Sequence, residues 1–371
     1  MKKPPLIWLN TLVLTLTPLS AAVFVPLYGW RVGFDAFEWS MFFVFMMFTG
    51  LSITGGYHRL WSHKAYKAHW SIRLFFAFWG ACSLQNSVLK WSSDHRRHHR
   101  FVDNNGKDPY SAGRGFWFSH IGWVLRDHPS SRGDLSNVKD LERDPILVFQ
   151  HRYYLHIAVF SNVVVPLFLG FLHGKLWGVF LLATLVRVVL NHHFTFFINS
   201  LAHMWGFRPY SRENSARDNG FLALLTYGEG YHNFHHRFQH DYRNGIKWWH
   251  FDPSKWIIKG FSWIGLTSNL KQSTKLQIER ARLKVQFQLA LESLEGKQAS
   301  QDFKSLVENR YHQCLTALND WAAFKQQWVR SKKIALREKM EHLEWRTRRL
   351  ELKWSLKLQR RRWQLLLAQV S

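Results

Sequence analysis

The sequence predicts an all-α membrane protein: four transmembrane helices carrying a cytoplasmic helical cap that holds a histidine-rich metal site. Three observations lead there. Four segments of the 371-residue chain, about 7–29, 39–56, 155–173 and 177–197, come close to the ~20 mostly apolar residues that cross a bilayer. Lys and Arg crowd the long segments outside these spans and are sparse in the two short connectors. Three histidine boxes stand at the edges of apolar segments: HRLWSH (His58, His63), HRRHH (His95, His98, His99) and HNFHH (His232, His235, His236).

The first segment follows Met1-Lys2-Lys3, and Leu19-Ser20-Ala21-Ala22 resembles a leader cleavage site. Its apolar run continues through Val23 to Trp30, longer than a signal core, so it reads as a retained span. Pro18 and Pro26 are expected to bend it, which neighbouring helices accommodate. The connectors 30–38 and 173–176 carry little charge beyond Arg31 and Lys175, whereas 58–153 and everything after 198 are basic. The positive-inside rule then places the N-terminus, segment 58–153 and the C-terminal half in the cytoplasm, with every histidine box on one side. That membrane would be the inner membrane in a bacterium and the endoplasmic reticulum in a eukaryote. A further apolar stretch, 74–89, contains Gln85 and Asn86 and reads as an interfacial or buried helix.

From about 273 the character changes, which divides the chain into a membrane domain, 1–272, and a basic amphipathic extension, 273–371. Residues 276–295 and 318–367 read as helices, with a turn at 296–301. Leu336, Met340, Leu343, Thr347, Leu350 and Trp354 follow the steps of four and three of a short coiled-coil seam.

The formal charge is +25. Residues 272–371 hold 21 Lys/Arg against 10 Asp/Glu, net +11, leaving +14 for the rest, so no single basic module stands out. Nucleic-acid binding would explain the charge but neither the spans nor the boxes. A metal transporter would carry ionisable groups within its spans, whereas these boxes lie at span ends. Cys82 and Cys314 are unpaired in spacing and read as plain thiols.

In HRRHH and HNFHH the histidines sit at i, i+3 and i+4, so on a helix three imidazoles project from one face. In HRLWSH the spacing is i, i+5, which a straight α-helix would spread by ~140°; that box is expected where span two ends and the chain turns. Eight nitrogens exceed the four that satisfy a zinc ion and argue for two metals. All-nitrogen ligation with room for oxygen points to iron more than to zinc or copper, although spacing alone leaves the metal open. Asp94, beside His95, and Glu229, three before His232, are the nearest carboxylates able to accept a ligand's second N–H.

GYHRLWSH, DHRRHH and GEGYHNFHH, with DPYSAGRGFWFSHIGW (108–123) and NSLAHMWGFRPY (199–210), resemble the membrane-bound stearoyl-CoA-type Δ9 acyl desaturases over about residues 5–265. The resemblance implies a di-iron centre completed by His203, with Asn199 acting through a water. It implies O2-dependent insertion of a cis double bond into a saturated acyl chain held in a narrow apolar tunnel. Acyl-CoA is the implied substrate, with acyl-phospholipid as the other carrier and hydroxylation as the other outcome on this scaffold. Arg114 matches one arginine of a paired segment that holds the CoA phosphates, but Gly113 replaces its neighbour, and Ser93 stands where an arginine precedes the Asp-His of the second box. No b-type cytochrome haem motif is present, so electrons are expected from a separate cytochrome, ferredoxin or reductase. His192 and His193 match no ligand of the family and are expected to be structural.

Overall fold

The computed structural model describes residues 3–334 and 341–370. Four helices are long and apolar enough to cross a membrane: α1 (Trp8–Arg31), α2 (Ala36–Ser62), α6 (Tyr154–His173) and α7 (Leu176–Met204). Between them lie α3 (Trp70–Cys82), α4 (Val88–Phe101) and α5 (Pro145–Arg152). After α7 come α8 (Gly220–Leu225), α9 (His232–Arg237) and α10 (Pro253–Trp263). One small antiparallel pair, β1 (Lys67–Ala68) with β2 (Thr267–Ser268), ties the chain after α2 to the chain after α10.

Much of the apolar surface of α1 faces outward, and none of its side chains is buried. Trp8, Leu12, Leu16 and Val23 are all about half exposed or more, as suits a helix whose solvent is lipid. It continues through Pro18 and Pro26 without interruption. The α2 helix is instead half buried, packing on α3 and α7. Its N-terminus is closed by a capping box in which Asp35 accepts from Phe37 and Glu38 N–H while Glu38 reaches back to Asp35 N, satisfying donors a helix start leaves open. The stretch 74–89 becomes mostly α3, a buried helix: Ile72, Phe76, Ala77 and Ala81 are core residues. Its approach to α2 is close because glycines stand on both sides. A Cβ on Gly56 would lie 2.7 Å from Phe76 Cβ, and one on Gly80 would lie 2.1 Å from Tyr57 Cε1.

Two boundaries differ from the sequence reading. The second and fourth spans continue beyond 56 and 197, to Ser62 and Met204, and carry His58 and His203 on these extensions. The first box does stand where α2 ends, with His63 as the C-cap residue, but the helix reaches it in another form. Over Ser52–Ser62 it widens into a π-helix, in which each N–H bonds to the carbonyl five residues back, and His63 N bonds His58 O at 3.1 Å. A spacing of five is in register with that wider turn, so the separation expected of a straight α-helix does not arise.

The chain separates into two compact units: residues 1–207 with 213–272, and residues 208–212 with 273–371. The second contains α11 (Lys275–Gly296), α12 (Gln301–Ile334) and α13 (Glu341–Val370). The predicted helix 318–367 is therefore two helices, and α12 begins 17 residues earlier than expected. Phe303, Val307, Cys314 and Leu318 pack inside this unit; they form a stripe at helical spacing that the sequence reading passed over. Of the expected seam, Leu336 and Met340 lie outside the described residues, as does the side chain of Leu343. Leu350 and Trp354 are exposed. The inner face of α13 is formed instead by Leu356, Trp363, Leu366 and Val370.

Candidate metal centre

Helix geometry brings nine imidazoles together in two groups. His58, His63, His95, His99 and His235 form one, and His98, His203, His232 and His236 the other; within each, the candidate ligand atoms lie within 4.8 Å of one another. The second and third boxes sit on α4 and α9, and the π turn of α2 supplies the first. Ring nitrogens meet through Nε2: His58 to His235 at 2.9 Å, His63 to His95 at 2.8 Å, His235 to His99 at 3.0 Å. In the other group His232 stands 3.0 Å from both His203 and His236.

The opposite nitrogens are held from behind. His98 Nδ1 is 3.0 Å from each oxygen of the fully buried Asp108. His58 Nδ1 is 2.9 Å from Glu229 Oε2, His203 Nδ1 is 2.7 Å from Ser215 Oγ, and His95 Nδ1 is 3.2 Å from Tyr110 Oη. An ionised carboxylate only accepts, so the ring proton of His58 and His98 sits on Nδ1 and the Nε2 lone pair faces inward. Burial pushes His63, His95, His99, His232, His235 and His236 well below the usual imidazole range, and repulsion among neighbouring rings adds to it. Neutral rings with inward lone pairs repel one another unless a cation lies between them. The donor set therefore fits metal ions, one per group.

Glu229 anchors more than His58. It also accepts from Arg59 Nη2 at 2.8 Å and from Asn244 Nδ2 at 2.7 Å, and Arg59 reaches Asp252 at 2.9 Å. Burial alone would raise the Glu229 carboxyl, but the adjoining His58 and Arg59 outweigh it and hold it low. Asp94 does not play the part expected of it. Its carboxylate takes Lys90 Nζ at 2.9 Å and the Arg97 guanidinium, its i−4 and i+3 neighbours on α4; it borders the cavity beside the rings but supports none of them among the contacts described. Asp108, ten residues beyond His98, and Ser215, itself 2.5 Å from Asp103 Oδ1, were missed. The acidic DNNGKD run after the second box was the available signal. Arg96 joins two boxes by donating to Trp61 O at 2.8 Å, Ser62 O at 3.1 Å and Asp140 Oδ1 at 2.7 Å.

A cavity of about 450 Å³ borders both groups, with His58, His95, His232 and Asn199 in its wall, a volume within the ~300–1,000 Å³ of small-molecule sites. Leu9, Val13, Ile53, Leu84, Trp91 and Trp123 supply much of its apolar lining. Its floor includes the turn after α3, where Leu84 and Asn86 have φ of 56° and 79° and Gln85 Nε2 bonds Thr195 Oγ1 at 2.9 Å. This turn is held by His192, whose Nε2 lies 3.0 Å from Ser83 O, and by the buried Arg187, which donates to Cys82 O at 2.8 Å and to Asn162 Oδ1 at 2.5 Å. His193 pairs with His120 at 3.0 Å, outside both groups. Arg114 is exposed, its guanidinium 3.4 Å from the Phe118 ring centroid.

Four apolar helices and two polyhistidine sites at the ends of α2 and α7 define an integral-membrane protein built to hold metal ions beside an apolar cavity. The fatty acid desaturase family profile matches residues 37–262, and the chain belongs to that family. It is 42% identical over 264 residues to a probable acyl-CoA desaturase of Schizosaccharomyces pombe, covering 68% of this chain and 55% of that protein. It is 40% identical over 280 residues to acyl-CoA desaturase 1 of Saccharomyces cerevisiae, covering 74% and 53%. With stearoyl-CoA desaturase 5 of Bos taurus it shares 37% over 282 residues, covering 74% and 82%. The match thus spans about half the length of the two yeast relatives.

Proposed function

We propose that the protein is an O2-dependent fatty acyl-CoA desaturase that introduces a cis double bond, at Δ9, using two iron ions and electrons from a separate carrier. The observation that carries this reading is a single apolar cavity whose wall contains histidines from both groups. The five- and four-histidine sets would each hold one iron, with Asn199 completing the smaller set through a water. When bound, the irons supply the O2-dependent oxidising power that no side chain has toward an unactivated C–H bond.

The chain's own part is positional. Ile53, Trp91 and Phe196 exclude water along the acyl chain. Gln85 and Thr195 fix one wall of its path, and His58, His95 and His232 mark the depth at which two adjacent methylenes lie. Glu229, Asp108 and Ser215 hold the ring protons outward, so that Nε2 stays free to coordinate. Two hydrogens from neighbouring carbons, with two electrons and two protons from outside, reduce one O2 to two waters. The similarity to acyl-CoA and stearoyl-CoA desaturases supports a CoA thioester. Arg114 lies on the loop after the second box as a candidate phosphate contact, and Lys90 with Arg97 leaves a net positive charge around Asp94. Ser93 is committed to Asp134 O at 3.0 Å and contributes no charge. The Lys/Arg distribution supports cytoplasmic termini.

The test is fatty-acid analysis of a desaturase-deficient host expressing the chain with a matching electron donor. Cis-Δ9 palmitoleate or oleate, lost in His98→Ala, is expected. Hydroxylated chains in their place would overturn the desaturation outcome.

A further inference from the structure

The α13 helix has two apolar faces, and the second unit uses only one of them. Leu356, Trp363, Leu366 and Val370 are at most 8% exposed and pack against α11 and α12. Leu350, Trp354, Leu358 and Leu365 are 56%, 66%, 46% and 60% exposed. At 3.6 residues per turn these four fall within ~80° of one another, on a face about 160° from the inner one. The stripe is ~22 Å long. Exposed cations border it, Lys353 and Lys357 along one edge and Arg362 on the other, and Arg361 stands within it between Leu358 and Leu365. Lys357 Nζ lies 5.3 Å from the Trp354 ring centroid. Residues 341–370 hold eight Lys/Arg against three Glu, net +5, and one of those acids, Glu351, is paired with Arg348 at 3.2 Å.

We propose that this outer face of α13 docks on the surface of an anionic bilayer, with Leu350, Trp354, Leu358 and Leu365 at the acyl boundary and the flanking cations among lipid phosphates. An apolar stripe edged and punctuated by cations is the pattern of an interfacial helix, and indole is the ring most at home at that depth. The partner is always at hand: α13 belongs to a chain anchored by four membrane helices, so docking is intramolecular in effect and needs little intrinsic affinity. A second copy fits poorly, because pairing two such faces would crowd Lys353, Lys357, Arg361 and Arg362 against their equivalents.

The test uses the full-length protein, one chain per lipid nanodisc, with an environment-sensitive fluorophore on Leu358→Cys; the native Cys82 and Cys314 are buried. In discs containing phosphatidylserine the emission is expected to shift to the blue and to be quenched by nitroxide attached to the lipid chains. Both effects are expected to be lost in discs of phosphatidylcholine alone, and in the triple variant Lys353→Glu, Lys357→Glu, Arg361→Glu. These substitutions lie on the outer face and leave the inner packing intact, which circular dichroism checks. A water-like emission in both discs overturns the proposal, and so does a blue shift without lipid quenching, which would mean a protein partner. The readout needs no turnover, so its failure is separate from any failure of the desaturase reading.

Discussion

Asp108→Asn offers the sharpest test of how the imidazoles are held. Asp108 is fully buried and spends both oxygens on one ring, His98 Nδ1, while also accepting from Tyr110 N at 3.1 Å and Asp103 N at 3.2 Å. An amide keeps one acceptor, but its NH2 must face one of these backbone N–H groups, so at least one hydrogen bond is lost to a donor–donor contact. His98 is also freed to carry its proton on Nε2, the nitrogen that faces the group. Loss of such an outer partner costs roughly 10–100-fold in metal affinity, or about 1.4–2.8 kcal/mol. His98 belongs to the group of four, where one weakened ring has fewer partners to compensate, so the upper end of that range is expected there. The assay is iron content after graded chelator competition on purified protein: about half the metal should leave early and the other half should behave as wild type. Asp94→Asn is the matched control, since that carboxylate is one residue from His95 yet bonds only Lys90 and Arg97 among the contacts described. Both irons held as tightly in Asp108→Asn as in Asp94→Asn would refute the argument.

Glu229→Gln should loosen the other group through His58 and leave Arg59 with Asp252 alone; unchanged iron retention would remove Glu229 from the support of the centre. Removing metal from the wild type should lower its thermal midpoint, because a ligand bound only by the folded state adds stability; equal midpoints with and without iron would mean the rings do not need a cation. Asp140 is held down to about 2: burial raises it, but Arg96 and Lys64 outweigh that. Its folded value lies below the ordinary one, so its stabilisation is complete above pH ~4 and lost as pH falls toward 2. Asp140→Asn should therefore flatten the acid limb of the unfolding curve, and an unaltered limb would exclude this pair as its source. In Gly80→Ala the new Cβ would meet Tyr57 at 2.1 Å, an overpacking of ~1–3 kcal/mol that should appear as a lower melting point in detergent; no drop would show that α2 and α3 can separate at no cost.

The spans and the three boxes were legible because hydrophobic length and ligand spacing are local. His98, His99, His235 and His236 could be placed on helix faces from i, i+3, i+4 alone, but not the division of each box between two groups, with His98 apart from His95 and His99 and His235 apart from His232 and His236. The first box stands at the end of the second span, as expected, but its ring geometry was hidden, because an α-helix has 3.6 residues per turn and nothing in SITGGYHRLWS announces a π turn. What permits it is packing from elsewhere: Gly55 and Gly56 bring α2 against Phe76, and Arg96 of α4 takes the carbonyls of Trp61 and Ser62. Of the two candidate carboxylates, Glu229 does meet an imidazole, that of His58, whereas Asp94 meets Lys90 and Arg97. Proximity in sequence favoured Asp94, but a helix directs i and i+1 to different faces, so the residue beside a ligand is poorly placed to support it. Asp108 reaches His98 only because the loop after α4 folds back. In the second unit the seam through Leu350 and Trp354 was periodic and still not internal, since α13 has two apolar stripes and periodicity does not say which one is covered.

The arrangement also explains why the polar parts of this membrane protein lie where they do. Nine crowded imidazoles, seven of them buried, are tolerable only beside cations, and four of the rings have Nδ1 committed outward, which takes partners from several elements at once: Glu229 before α9, Asp108 and Tyr110 after α4, Ser215 after α7. No single helix could supply them. Three separated boxes closing on one point therefore make the site a product of tertiary structure. The spans in turn need few polar groups except where they shape the cavity. Arg187, His192 and Asn191 are buried on α7, and each bonds the turn after α3 or the residues facing it, at Cys82, Ser83, Leu84, Gln85 and Thr49. Besides His58 and His203, the polar groups of Arg187, His192 and Asn191 thus meet at the floor of the cavity, where they set the shape of the space beside the two histidine groups.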